Sequence, residues 1–417
     1  MHPDEVIVIG AGIGGLALAL CLHQAGIACR VYEASAEILP LGVGINVLPH
    51  ATAELQSLGV LAALERVAVV TREAAFFNRF GQLVYAEPAG RWAGYEVPQL
   101  SIHRDDLQAV LLAAVKERIG AERLLTGHTC IGVDNVGDDR VRVRFRGPGG
   151  EALPDATGKV AVACDGIHSA VRKQFYPDEG PPRWSGVNMW RGVAAHAPFL
   201  SGATMVRAGW LSVGKMVIYP IRSDIDGEGR QLVNWVAELE SAEPVQRDWN
   251  AQGKLGDFFS AFEHWHFDWL DVAALIRNTT TVLAYPMVDQ DPLQGWSFDR
   301  VTLLGDAAHP MVPRGSNGAG QAILDARCLA DLLASGIGPA TALEAYETQR
   351  LAATTQVVLT NRSNPPDAII REVLERGGDR PFERIEDIIS HDELARMSQR
   401  YKQVAGYDQQ SLARATP

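Results

Sequence analysis

Val6-Ile7-Val8-Ile9-Gly10-Ala11-Gly12-Ile13-Gly14-Gly15-Leu16-Ala17-Leu18-Ala19-Leu20 is the stretch on which the reading of this chain turns. Four apolar residues suit a buried parallel strand, the glycines follow the pattern GxGxxG, and an apolar helical run comes next. Cys29-Arg30-Val31-Tyr32 reads as a second strand and ends at Glu33. The order strand, glycine turn, helix, strand, acid predicts a mononucleotide-binding βαβ unit. Gly10 permits the tight turn, Gly12 lets backbone approach a pyrophosphate, and Gly15 lets the helix pack close to the strand. The helix N-terminus then presents free N–H groups to phosphate. Glu33 is placed to accept hydrogen bonds from a ribose diol, and its charge repels a 2′-phosphate.

Two further strand ends carry a related signal. Val160-Ala161-Val162-Ala163-Cys164 reads as a buried parallel strand running into Asp165-Gly166-Ile167-His168-Ser169-Ala170-Val171-Arg172. A junction bearing Asp-Gly, then Ser and Arg on successive turns, is more than a nucleotide fold alone requires. Arg300-Val301-Thr302-Leu303-Leu304 ends in Gly305-Asp306-Ala307-Ala308-His309-Pro310, and Pro313-Arg314-Gly315-Ser316-Asn317-Gly318-Ala319-Gly320 then leads into a helix reaching Ala334. Asp306 at a strand end can accept hydrogen bonds from a polyol. Glycine-rich backbone at a helix N-terminus can surround an electron-rich ring edge with N–H donors.

Between these junctions the texture differs. Gly42-Val43-Gly44-Ile45 suits backbone lying close to a flat ligand or a neighbouring strand, and residues 51–64 are amphipathic. Residues 76–85 predict a hairpin about Gly81 in a different sheet. Residues 105–118 predict a helix with Arg104 at its start, where the macrodipole disfavours a cation unless it serves a bound phosphate; a solvated arginine is the other reading. Residues 131–134 and 141–145 alternate about a Gly-Asp-Asp turn. From about Asp178 to Gln290, strand-like segments at 187–195, 215–221, 232–239 and 279–286, with concentrated tryptophan, predict an antiparallel sheet shielding a pocket. A helical pair is expected at 255–262 and 270–276.

Taken together, the GxGxxG with Glu33, the Asp-Gly motif through Arg172 and the Gly-Asp motif through Pro310 resemble those of the class A flavoprotein monooxygenases, the aromatic hydroxylases of the p-hydroxybenzoate hydroxylase family. Within it the phenazine hydroxylases are the most similar, through LGVGIN, SIHR, DGIHSAVR, MWRGV, LVNWV, YPMVD and LLGDAAH. The resemblance spans nearly the whole chain and is weakest after Asn361. It implies an α/β fold, a GR2-type FAD-binding Rossmann-like domain with an inserted antiparallel-sheet substrate domain. The FAD-binding domain would comprise residues 1–70, 100–180 and 290–360, and the substrate domain residues 71–99 and 181–289. Residues 361–417 would form a helical tail at the surface or at an oligomer contact.

The resemblance also implies roles. Gly10, Gly12, Gly14, Gly15, Glu33 and Ala34 would hold the ADP half of FAD, Arg104 its pyrophosphate and Gln108 the adenosine side. Asp306 would bind the ribityl chain. Asp165 and Arg172 would support FAD and the transient visit of NAD(P)H, and Gly44, Ile45, Pro313, Gly315, Asn317, Gly318 and Ala319 would flank the isoalloxazine. In such enzymes NAD(P)H reduces FAD, O2 adds at C4a, and an electron-rich ring attacks the distal oxygen of the hydroperoxide. Trp190, Arg191, Tyr219, Asn234, Trp235, Tyr285 and Arg314 are the substrate candidates, with Arg191 or Arg314 as a carboxylate anchor and sheet packing as the competing role. No side chain is assigned as acid or base, and His309 is expected to pack near the flavin. The implied substrate is a planar aromatic or heteroaromatic acid of the phenazine-carboxylate type, hydroxylated with or without loss of the carboxylate. A reductase on the same fold, or a flavin-binding sensor without turnover, remains open.

Composition bounds the remainder. The chain has 417 residues, 47% hydrophobic and 21% charged, with a net charge of -12, which argues against nucleic acid or an anionic membrane as partner. Five scattered cysteines without a CxxC read as reduced core thiols of a cytoplasmic protein. No metal site is expected, since His264-Trp265-His266 lacks companion ligands and alternation separates its two imidazoles. The expected assembly is a monomer or homodimer.

Overall fold

Val6–Ile9 lies at the middle of a six-stranded sheet ordered Ser297–Phe298, Val301–Leu303, Val160–Ala163, Val6–Ile9, Cys29–Tyr32, Leu124–Leu125. These pairings are parallel except at Ser297–Phe298. The computed structural model describes residues 5–38, 42–245 and 253–415. Continuous burial of Val6, Ile7, Val8 and Ile9 follows from helices on both faces of such a sheet. Helices Ile13–Gln24 and Gly318–Ala334 pack on each other, and a methyl group at Gly14 would already crowd Leu304 and Ala322 at 3.1 and 3.2 Å. The chain leaves the carboxyl ends of three adjacent strands at Gly10, Asp165 and Gly305, so the three motifs converge on one edge of the sheet, where ligands bind in open α/β folds.

A second sheet has seven strands, ordered Val282–Asp289, Arg183–His196, Gln231–Glu240, Gly214–Arg222, Thr204–Trp210, Glu73–Phe77, Leu83–Pro88. All its pairings are antiparallel except that of Thr204–Trp210 with Glu73–Phe77. The hairpin at 76–85 forms, with Gly81 at φ +81° and the Asn78 side chain accepting from the backbone of Phe80 and Gln82. One face packs on an aromatic cluster of Phe258, Phe262, Trp265 and Phe267. The other face meets Gly44 through Asn234 and Arg191, and Val312 after the Gly-Asp motif through Val236 and Tyr285. The helix expected at 255–262 is instead two 3₁₀ turns, Leu255–Asp257 and Phe259–Ala261, while Val272–Arg277 is helical. Asp271 caps the latter by accepting from the Ala274 N–H at 2.8 Å.

The chain after Asn361 is not the surface tail expected of it. Helices Ala368–Gly377 and His391–Ala405 bury Ile369, Ile370, Val373 and Leu394 against Ala74, Phe76, Val84 and Tyr85 of the seven-stranded sheet. Their apolar stripes at helical spacing need a partner, and the sheet's edge strands supply it. Cys21, Cys29 and Cys130 are buried, their thiols pushed up to about 12 by burial, and all five cysteines are free. No helix among the described residues is long and apolar enough to cross a membrane.

Candidate active site

The glycine turn is shaped by two contacts and one vacancy. Gly10 has φ +104°, and a Cβ on it would lie 2.5 Å from the Cys164 carbonyl oxygen; a Cβ on Gly15 would lie 2.0 Å from the Gly10 carbonyl oxygen. At Gly12 nothing lies within 4 Å of such an atom, leaving room for a diphosphate. The helix it opens has neither a side-chain cap nor an acid in its first turn, so its N–H groups remain for an anion. Glu33 accepts from the Ala11 and Ser35 N–H groups, each at 2.8 Å. A carboxylate has lone pairs beyond these two, so a ribose can still be met. Gln108 donates to the Ala11 carbonyl at 2.9 Å, and Ala34 is exposed beside Glu33. The residues present therefore suit the ADP half of FAD.

The other two motifs are joined through Arg172. It is buried, donates to the Ala307 and Ala308 carbonyls at 3.1 and 2.8 Å, and forms a two-pronged pair with Glu179. Its donors are occupied by protein, so its place is to hold the Gly-Asp loop rather than to touch NAD(P)H. Asp165 accepts from the Ala170 N–H at 2.9 Å, its other oxygen is buried without a partner, and burial pushes its carboxyl above the ordinary value. Asp306 reaches solvent yet is walled in by protein; desolvation raises its carboxyl pKa, countered in part by the charges of His309 and Arg104. The Arg104 charge thus acts on Asp306, and a Cβ on Gly318 would come within 3.7 Å of the Asp306 carboxylate. Gly318 begins a helix without a side-chain cap or an early acid, again leaving N–H donors for an electron-rich edge.

His309 pairs through Nε2 with Asp325 at 2.6 Å, and Arg350 donates to the same carboxylate at 2.7 Å. Burial alone would raise the Asp325 pKa, but the neighbouring charges of His309 and Arg350 hold it below the ordinary value. This triad underpins the Gly-Asp loop, with Asp325 also accepting from the Gly305 N–H at 3.2 Å. Asp325 and Arg350 are not evident as site residues in sequence, although an acid at a core-facing position of an apolar helix is the available signal.

Gly44 meets the seven-stranded sheet. Its N–H donates to Asn234 Oδ1 at 2.7 Å, and its carbonyl accepts from Arg191 at 2.8 Å. Arg191 also contacts the Tyr219 hydroxyl; burial raises that phenol's pKa and Arg191 offsets part of the rise. By strand alternation Val193, Val217 and Val236 share this face with Arg191, Tyr219 and Asn234. Val193, Val217 and Leu283 are half-buried. Tyr285 packs with Met189, Val236 and Val312 at the end of the groove. Pro313 is exposed at its lip, and Arg314 is buried against Glu238.

Trp190 and Trp235 are not in the groove. Their parity on each strand puts them on the opposite face, where both stack on Phe258 at 5.0 and 5.9 Å and Trp235 donates to Thr279 at 2.8 Å. The loop 313–319 is held from behind by a residue the sequence reading passed over: Tyr401 Oη accepts from Asn317 at 2.7 Å and donates to Asn361 at 2.6 Å. A Cβ on Gly315, φ +82°, would fall 1.7 Å from that hydroxyl oxygen. A separate crevice lies behind this loop, lined by Phe76, Glu87, Gln99, Arg207, Tyr401 and Tyr407. No residue of the three motifs lines it, and of the loop 313–319 only Gly315 does, so the groove beside Arg191 is the candidate site.

Comparison with known proteins agrees with this geometry. The model of the family described as FAD binding domain matches residues 4–213 and 273–361. Phenazine 1,6-dicarboxylic acid hydroxylase PhzS of Lysobacter antibioticus is 42% identical over 370 residues, 86% of this chain and 89% of that protein. The 3-amino-4-hydroxybenzoate 2-monooxygenase PtmB3 of Streptomyces platensis is 36% identical over 367 residues, 85% and 86% of the two chains. In fold, HpxO of Klebsiella pneumoniae, solved with FAD and uric acid, superposes with a TM-score of 0.72 at 22% identity, covering 99% of this chain and 95% of that one.

Proposed function

Because the chain belongs to the FAD binding domain family, among its FAD-dependent aromatic monooxygenases, we propose that it hydroxylates a planar heteroaromatic acid of the phenazine-carboxylate type in the groove between the seven-stranded sheet and the loop 313–319. FAD is the cofactor, and NAD(P)H and O2 are the co-substrates. FAD when bound supplies the redox chemistry, accepting a hydride from NAD(P)H and activating O2 for transfer of one oxygen atom to the ring.

The protein's part is to bind, orient and exclude. Gly12, Glu33, Gln108 and Arg104 would hold the dinucleotide end, and Asp306 with the Gly318 helix N-terminus the flavin end. Arg191 carries the reading: it reaches from the sheet to the Gly44 carbonyl, half-buried above an apolar floor of Val193, Val217 and Val236. A guanidinium so placed can take a carboxylate by a charge-assisted pair while the floor meets the ring face. Tyr219, its hydroxyl against Arg191, is the group placed to hold or pass a proton at the substrate's polar edge. Apolar walls keep water from the reacting centre.

The test is NAD(P)H consumption by the flavin-loaded protein with phenazine carboxylates and hydroxybenzoates, products being followed by mass. Stimulation by a phenazine acid with a product heavier by one oxygen, or with carboxyl replaced by hydroxyl, is expected. Stimulation confined to hydroxybenzoates would contradict the substrate class, and NAD(P)H-dependent reduction of an acceptor without oxygen transfer would favour a reductase.

A further inference from the structure

The crevice behind the loop 313–319 is lined by polar groups that the protein leaves unspent. Arg207 and Gln99 both line it, each only 6% exposed, and among the described residues neither side chain makes a hydrogen bond. Asp367 stands 2.8 Å from Arg207 Nε as an ion pair, yet the guanidinium donates to nothing. The Tyr407 hydroxyl, also on the lining, has no hydrogen-bond partner among the described residues either. None of the three is an interior orphan, because no polar atom of these side chains is sealed from open space without a partner. Their donors therefore reach the crevice.

What they would hold follows from the inventory. A guanidinium, an amide and a phenol offer many N–H and O–H donors against few acceptors, so the lining asks for an acceptor-rich ligand. The acids nearby do not oppose an anion. Glu87, the one carboxylate on the lining among the described residues, accepts from Ser398 at 2.7 and 2.8 Å and pairs with Lys402 at 2.9 Å. Asp367, which burial alone would make a weaker acid, is kept below the ordinary carboxylate range by the charges of Lys215, Arg207 and Arg314, so three cations share it. The remaining walls are aromatic. Phe76 lies under the Arg207 guanidinium at 5.3 Å, and Tyr95 donates to the Tyr407 carbonyl at 2.7 Å, beside the Tyr401 ring. Ring walls in a narrow crevice suit a flat ring.

We propose that this crevice is a second ligand site, distinct from the groove beside Arg191, and that it binds a benzoate-sized aromatic monocarboxylate whose acid accepts from Arg207, with Gln99 and Tyr407 as further donors. A ligand there lies against Tyr401 and Gly315, and Tyr401 is bonded to Asn317 and Asn361. It thus acts as an effector, fixing the loop and tightening the hold on FAD. The site stands on the crevice alone; the link to FAD rests also on the proposed reading that puts the loop 313–319 at the flavin edge.

The test is calorimetric titration of the FAD-loaded protein with benzoate, after the groove has been saturated with phenazine-1-carboxylate. One benzoate per chain is expected to bind. Cyclohexanecarboxylate, of equal charge but not planar, binds about fivefold or more weakly, and inorganic phosphate does not bind. Arg207→Gln weakens benzoate about tenfold or more. Gln99→Leu, which spares the ion pairs and serves if Arg207→Gln does not fold, weakens it about threefold or more. In Arg191→Met benzoate affinity is unchanged. FAD retention on dilution rises when benzoate is bound, as reciprocal coupling requires. No benzoate binding, displacement by the phenazine acid, loss in Arg191→Met, equal binding of phosphate, or an affinity unchanged by both crevice variants would overturn the site while leaving the hydroxylase reading intact. Retention of FAD indifferent to bound benzoate would overturn the effector role. Benzoate bound as described with no binding of phenazine-1-carboxylate would uphold the crevice and count against the groove.

Discussion

Gly12 and Gly15 lie three residues apart in one turn, yet a methyl group meets opposite fates at the two. At Gly12 it has open space and an extended backbone, φ -71° and ψ -177°, that alanine accepts. Gly12→Ala is therefore expected to leave the melting temperature of the flavin-free protein nearly unchanged while weakening FAD binding at least about tenfold. Gly15→Ala drives a Cβ into the Gly10 carbonyl and is expected to lower stability itself, by about 1–3 kcal/mol. Calorimetry with and without FAD separates the two. On the sheet, Arg191→Met should weaken binding of the aromatic acid about 10- to 100-fold, and Arg191→Lys should recover only part, since an ammonium lacks the planar fork. Trp235→Phe is the contrasting case. It opens space and breaks the bond to Thr279 on the far face, so the melting temperature falls while KM for the substrate stays as it was.

At the scale of elements, the C-terminal helices hold the site from behind. Tyr401 of helix His391–Ala405 joins Asn317 of the flavin-edge loop to Asn361 of helix Pro339–Ser363. Tyr401→Phe leaves two buried amides short of a partner, costing about 1–3 kcal/mol; a lower melting temperature and weaker retention of FAD on dilution are the expected readouts. This contact also marks the limit of what is legible in sequence. Gly10 to Gly15, Asp165 and Asp306 are readable because each motif is contiguous and sits at a strand end, where local spacing determines geometry. The groove is less so. Alternation shows that Trp190 and Arg191 point to opposite faces, but which face meets the cofactor side is decided by Gly44, more than a hundred residues away. Tyr401, Asp367 and Glu238 act through partners distant in the chain. Lys215, breaking an apolar alternation with Val217 and Tyr219, was the one local hint of a buried ion cluster.

At the scale of the whole molecule, buried titratable groups set the pH range. His50 is enclosed between the Tyr407 ring and Gly320, and desolvation lowers its pKa to about 3. An unfolded histidine titrates near 6.5, so on acidification the unfolded chain takes up the proton first and stability falls from about pH 6.5 toward pH 3, by about 1 kcal/mol per pH unit. His50→Gln should flatten that slope, measured by urea unfolding at pH 7.5, 6 and 5. Asp325 and Asp367, both held below the ordinary carboxylate value, act in a lower window: their stabilisation is present above about pH 4 and is lost as the pH drops through their folded-state values.

For a member of the FAD-dependent aromatic monooxygenases, one oxygen atom from O2 is expected to end on the ring bound in the groove. That is measured directly by turnover of a phenazine carboxylate with NAD(P)H under 18O2, the product being weighed by mass spectrometry. One 18O atom per product molecule, appearing only with substrate and FAD both present, is the predicted result; NAD(P)H consumption with an unlabelled ring and all label in hydrogen peroxide would contradict the account.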